Sequence, residues 1–157
     1  IEAGVEHLMR ESFATARPVS GAIATVRSLA ASGIPLGVVS SAGYHPFLEW
    51  TLTSFGIRDA FADVTTSASA GFYKSRPDIY WHALGRIGAR PERTIHVGDS
   101  WRWDVGMGRE AGLRTVWLRK AGVVPGDGAP PDVTLDSLEG AAPRLLDLLD
   151  GAAGDRR

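Results

Sequence analysis

Five side chains of this sequence have the types and spacing to handle a phosphate beside a divalent cation. Asp99 and Asp104, in the stretch "TIHVGDSWRWDVGMGREAG", lie just beyond a short apolar run. Two carboxylates about 4 Å apart repel by roughly 4 kcal/mol at an effective dielectric of 20, so such a pair calls for a proton or a cation. An all-oxygen pair suits Mg²⁺, which takes one or two carboxylates and leaves its other positions to water and a phosphate. Gly98 lets the chain turn sharply there, and Asp104 then falls near the first turn of the following helix. Each acid also has a plain structural reading, Asp99 as a turn residue and Asp104 as a helix-start acid that stabilises the macrodipole. Ser40, closing "PLGVVS", and its neighbour Ser41 offer hydroxyls and backbone N–H groups to an anion; a helix cap is the equal alternative for Ser40. Lys74, in "FYKSRPDIY", reads by itself as a solvated surface lysine. Taken together, hydroxyl, lysine and acid pair follow in that order, each at a strand end or the adjoining loop.

The elements that must position these groups are legible from periodicity. Val19, Ile23, Val26, Leu29 and Ala30 recur at helical spacing, with Ser20 as a candidate cap and Gly33 as a stop. "IPLGVVSS" reads as a buried strand over Ile34–Val39, and "HPFLEWTLTSFG" as a second helix. A weaker strand falls within "AFADVTTSA", and Pro77 opens a helix through Ile79, Ala83 and Ile87. "RTIHVGDS" is a strand, "WDVGMGREAG" a helix closed by Gly112, and "LRTVWLRK" another strand. "GVVPGDGAPP" is a loop, and a last helix capped by Asp136 or Ser137 runs through Leu145 to Leu149. Strands alternating with helices predict an α/β fold, a parallel sheet with helices on both faces. In such sheets ligands bind at the carboxyl ends of the strands, which selects Ser40, Lys74 and Asp99.

Length and composition narrow the field. A chain of 157 residues fits one domain with an ordinary core. With no cysteine there is no disulfide and no thiolate metal site, which permits a reducing compartment, and the cytoplasm is the expectation. Basic and acidic residues number 17 and 18 and are well mixed, so no electrostatic footprint for nucleic acid or an anionic membrane is present. No apolar run is long enough for a membrane span, and Glu2 and Glu6 stand where a signal peptide would carry positive charge.

The order "LGVVSSAG" and then "YKSRPDIYWHALGRIGARPERTIHVGDSWRWDVGMGREAGLRTVWL" resembles the haloacid dehalogenase-like hydrolase superfamily over about Arg17 to Leu149. The resemblance implies a three-layer Rossmann-like core. It makes Ser40, with Ser41, the second-motif phosphate binder and Lys74 the third-motif lysine that neutralises nucleophile and phosphate. Asp99 and Asp104 become the fourth-motif acids that hold Mg²⁺. The substrate implied is a small phosphorylated metabolite, cleaved through an aspartyl-phosphate.

One departure is plain. The first motif, Asp-x-Asp on the first strand, should precede Ser40, yet no Asp occurs before Asp59. The segment "GVEHLMRESFATARP" is similar to the last cap helix leading back into the core. Residues 1–16 are therefore expected to be the end of a helical cap, 17–150 a partial core and 151–157 a disordered tail. Together with Ile1 at the start, this points to a fragment of a longer gene product, inactive alone. It lacks the nucleophile, the general acid/base, the central strand and most of the cap. A noncatalytic binding module is the rival reading. The missing strand also predicts a gap, or an abnormal pairing, between the strands that end at Ser40 and Asp99. Trp101 and Trp103 wall the site or contact substrate, with packing under the sheet the equal alternative for Trp103, whereas His96, inside its strand, reads as a core residue and His45 and His82 point to no site.

Overall fold

Parallel strands alternate with helices in the computed structural model, which describes residues 2–154. Helix α1 (Glu2–Thr15) precedes α2 (Ala22–Ala31), β1 (Gly37–Ser40) and α3 (His45–Ser54). Then come β2 (Asp63–Thr66), the single turn α4 (Ser67–Ala70) and α5 (Asp78–Ile87). Strand β3 (Ile95–Gly98) leads into a π-helical turn (Trp101–Met107) and a short α6 (Gly108–Glu110). Strands β4 (Arg114–Leu118) and β5 (Val133–Leu135) and helix α7 (Ala142–Gly154) complete the order.

The layers follow from the strand residues. Val38 on β1 and Val64 on β2 pack with Ile23, Val26, Leu48 and Leu52 from α2 and α3. Ile95, Val97 and Val116 meet Leu29 of α2 and Leu145 and Leu148 of α7 on the same face. Val39, next along β1, points the other way, to Ile79, Tyr80 and Leu84 of α5 and to Ala111 and Leu113. Helices thus cover both faces, as an all-parallel sheet requires. Gly21, at φ 77°, lets α2 start against the 138–139 backbone: a Cβ there would lie 2.3 Å from the Glu139 nitrogen.

The sheet is in two pieces. Among the described residues, strand β1 pairs only with β2, and β3 pairs with β4, which pairs with β5, all parallel. Between β1 and β3 lies a cavity of about 620 Å³, walled by Val38 and Val39 on one side and Ile95 and Val97 on the other, with Leu29 and Leu84 among its lining. The expected gap is there, and among the described residues no strand fills it.

Several boundaries differ from the sequence reading. Strand β1 begins at Gly37 rather than Ile34; Pro35, within the expected stretch, has no amide hydrogen to give to a ladder. Ser20 does not cap α2; its hydroxyl bonds Glu139, and Gly21 holds the cap position. The helix expected after Asp99 starts as a π turn, and β5 was not anticipated. Helix α7 starts at Ala142, not at Asp136 or Ser137, because Ser137 accepts the Glu139 amide in a local turn. That helix also continues through Gly154, four residues into the expected disordered tail; the remaining residues 155–157 lie outside those described. No described helix is long and apolar enough to cross a membrane.

Candidate functional site at the carboxyl ends of the strands

The strand β3 ends at Gly98, and the chain turns back on itself within six residues. The Ser100 carbonyl accepts from both the Asp104 amide (2.8 Å) and the Val105 amide (3.2 Å), which widens the first turn to π geometry. The Ser100 hydroxyl accepts the Trp103 amide at 3.2 Å and caps the turn. The result is to fold Asp104 back over the end of its own strand. Its carboxylate lies so close to Gly98 that a Cβ there would stand 2.2 Å from the Asp104 Cγ. Gly98 is therefore needed for what it lacks, rather than for an unusual φ.

Asp104 is 3% exposed, and three donors converge on it. Its Oδ1 accepts from Lys74 Nζ at 2.5 Å and from His96 Nε2 at 2.9 Å; its Oδ2 accepts the Ser100 amide at 2.8 Å. Since a carboxylate only accepts, Nε2 is the protonated ring nitrogen. The Tyr80 ring stands edge-on to His96 at 4.9 Å, and its hydroxyl donates to the Trp103 carbonyl at 2.7 Å. Burial alone would raise the Asp104 carboxyl, but the His96 hydrogen bond and the Lys74 charge hold it well below the usual carboxylate range. Burial, and then the Lys74 charge, keep His96 below the ordinary imidazole value despite its bond to Asp104. Burial, helped by the Asp104 charge, pushes the Tyr80 phenol far up, so it stays a neutral donor.

Asp99 differs in almost every respect. Its carboxylate is 45% exposed and pairs with Lys120, whose ammonium is held in its charged form by that bond. Its backbone carbonyl accepts from the indole of Trp117, itself buried, at 3.0 Å. Trp101 stands edge-on to Trp117 at 5.0 Å and donates to the Asp127 carbonyl at 2.9 Å, which ties the Gly/Pro loop to this rim. Trp103 lies under the guanidinium of Arg102, 4.3 Å from its ring centroid.

Lys74 and Asp104 are thus brought into direct contact across 30 residues of sequence. Asp99 projects from the same turn, and Ser40 and Ser41 stand at the end of β1, across the cavity from β3. Among the described residues, no hydrogen bond joins Ser40 or Ser41 to Lys74, Asp99 or Asp104; the Ser40 hydroxyl accepts the Ala42 amide at 3.2 Å. His96, read as core, is largely buried against Tyr80 and in addition bonds Asp104. The signal was available: a polar residue flanked by Ile95 and Val97 in a strand faces the opposite side from both, and a buried ring nitrogen there needs a partner.

No three His, Asp or Glu side chains gather into a cation cage among the described residues. The donors nevertheless suit a hard ion that keeps most of its water. Asp99 offers a half-exposed carboxylate, and Asp104 retains one free lone pair on Oδ2, since Oδ1 is saturated by two donors.

A family model described as haloacid dehalogenase-like hydrolase matches residues 2–112. The chain is 34% identical over 147 residues to the bovine (Bos taurus) haloacid dehalogenase-like hydrolase domain-containing protein 3, covering 90% of this chain and 57% of that protein. It is 30% identical over 157 residues to a glyceraldehyde 3-phosphate phosphatase of Methanocaldococcus jannaschii, covering 99% of this chain and 66% of the phosphatase. Among solved structures, a HAD phosphatase from Thermococcus onnurineus superposes with a TM-score of 0.79 at 25% identity, over 90% of this chain and 64% of that one. The chain accordingly spans between about half and two thirds of the length of these relatives.

Proposed function

Because the chain belongs to the haloacid dehalogenase-like hydrolase family, we propose that the protein carrying it is a Mg²⁺-dependent phosphatase of the cytoplasm, acting on small phosphorylated metabolites through an aspartyl-phosphate. The observation that carries this reading is the buried Lys74–Asp104 contact at the end of β3. A lysine led by a loop to a strand end, and held there by a carboxylate, supplies fixed positive charge where an anion can reach it. Ser40 and Ser41 supply hydroxyl and amide donors to the same phosphoryl group from the end of β1. Asp99, with Asp104 behind it, would hold Mg²⁺, which when bound neutralises phosphate charge. The archaeal relative named as a glyceraldehyde 3-phosphate phosphatase belongs to the substrate class proposed.

In this reading the nucleophile and the general acid/base enter on a strand outside the chain, in the cavity between β1 and β3, and α1 is the end of the cap. Support comes from the size and apolar walls of that cavity and from two parallel strands that each lack, among the described residues, a partner on the facing edge. The chain alone would then turn over nothing. Haloacid dehalogenation fits less well, because displacing a halide from carbon does not call for the cation that the acid pair suits.

The test is phosphatase turnover by the protein with the strand and its Asp-x-Asp in place. Chelation, or Asp99→Ala, is expected to lower turnover at least a hundredfold; turnover indifferent to both overturns the reading. The absence of any Asp before Asp59 favours a second reading, a noncatalytic binding module. An in-frame Asp-x-Asp after an apolar run in the upstream coding sequence decides against it.

A further inference from the structure

We propose that His96 is a positioning residue for Lys74: its ring, set edge-on against Tyr80, holds the Asp104 carboxylate in the one orientation that keeps the lysine ammonium at the strand end. The proposal rests on the phosphatase reading for what the lysine then does, but its geometry is independent of that reading. A carboxylate held by one donor on each oxygen can still tilt and rotate about Cβ–Cγ. Here Oδ1 takes two donors from different directions, Lys74 from the loop before α5 and His96 from β3, while Oδ2 takes the Ser100 amide. Three donors on two oxygens leave a single orientation.

His96 is itself fixed from two sides. Its backbone is in the ladder with Thr115 of β4, and its ring meets the Tyr80 ring at 81°. Tyr80 in turn is tied through its hydroxyl to the Trp103 carbonyl, one residue before Asp104. Helix α5, strand β3 and the π turn therefore close a loop of contacts around one carboxylate. All three ionisable members are largely sequestered, with side-chain exposures of 13% for Lys74, 14% for His96 and 4% for Asp104. A lysine anchored by an exposed, rotating carboxylate would spread over several rotamers; this one is held at its tip.

The test uses side-chain reach. A glutamine amide nitrogen sits as many bonds from Cβ as His Nε2, whereas an asparagine amide matches Nδ1 and falls short. His96→Gln should keep the donor to Asp104, and His96→Asn and His96→Leu should lose it. The sequence holds two lysines, Lys74 and Lys120, so a ¹⁵N-lysine sample has two side-chain ammonium signals, and exposed Lys120 is the internal control. The parent chain and His96→Gln should show a protected Lys74 signal at low temperature. His96→Asn and His96→Leu should lose it while Lys120 is unmoved. Should the leucine variant not fold, the Gln/Asn pair decides.

Titration of the protein that carries the Asp-x-Asp strand with inorganic phosphate in the presence of Mg²⁺ adds a second reading. His96→Asn should bind about tenfold more weakly than His96→Gln, the ratio expected for one hydrogen bond to a charged group. An unchanged Lys74 signal in His96→Asn and His96→Leu overturns the proposal. A signal that behaves as expected, in a protein that binds no phosphate even with the Asp-x-Asp strand in place, leaves His96 as a positioning residue and counts against the phosphatase reading instead.

Discussion

The two strands that face the central cavity end very differently. At the end of β3, Asp104 is locked by three donors, Asp99 is held through its carbonyl by Trp117, and the turn is capped by Ser100. At the end of β1, the Ser40 hydroxyl makes one bond to an amide two residues on, and Ser41 is exposed. Burial tells the same story along the strands. Val64, Thr65 and Thr66 of outer strand β2 are buried, as are Thr115, Val116 and Trp117 of β4, yet no residue of β1 or β3 is fully buried. In a complete parallel sheet the inner strands would be the better covered. The lesson is that the lysine and acids at the end of β3 are organised by the chain's own contacts, whereas the hydroxyls proposed to join them at the end of β1 are not.

The largest effect should come from breaking the locked side. Asp104→Ala would leave the Lys74 ammonium largely buried without its counter-charge, at a cost of about 3–5 kcal/mol. Urea unfolding checks it, and adding Lys74→Met should recover much of the loss, because the stranded charge goes with it. Glycines sharpen the contrast between the two strands. Gly98→Ala would drive a methyl into the anchored Asp104 carboxylate, where the nearest atom stands 2.2 Å away, and is expected to cost about 1–3 kcal/mol. Gly37→Ala on β1 meets nothing nearer than 3.7 Å, so its unfolding midpoint should be little changed. Equal costs at the two positions would erase the proposed asymmetry.

A pH series on the chelated, metal-free chain probes the same locked side more gently. The folded His96 titrates below its unfolded value of about 6.5. As pH falls from there, the unfolded chain takes the proton first, and stability declines until the folded value is passed. Asp104, also depressed, adds a second decline below about pH 4. His96→Gln should flatten the first limb of the urea midpoint against pH and leave the second. A first limb that survives the substitution would assign it to another group.

Much of this was legible because the signals are local. Helical periodicity gives α2, α3 and α5, Pro77 marks the start of α5, and the acids follow a strand that reads plainly as "TIHVG". The π turn was not legible, since a register of i to i+5 has no composition of its own; here it accompanies Asp104 being drawn back to Lys74 and His96, neither of which is a sequence neighbour. Strand β5 is only three residues long and follows a Gly/Pro-rich loop, so its pairing with Val116 to Leu118 supplies what its pattern lacks. The gap in the sheet was legible for the opposite reason, as a motif that the chain does not contain.

The smallest effect on stability is expected at the unlocked end, and it is the one that most directly tests the division of labour. Ser40→Ala removes a single 3.2 Å acceptor from the Ala42 amide, which water can replace at a partly open strand end, so the cost should be about 0.5 kcal/mol. If the β1 end is built for an anion, the same change should nonetheless weaken inorganic phosphate binding in the presence of Mg²⁺, with Ser41→Ala weakening it less, because its hydroxyl is only one of several donors there. Calorimetric titration of both variants alongside the parent chain measures this. A Ser40→Ala chain that loses stability on the scale of Asp104→Ala, yet binds phosphate unchanged, would make Ser40 a structural cap and move the anion site wholly onto Lys74.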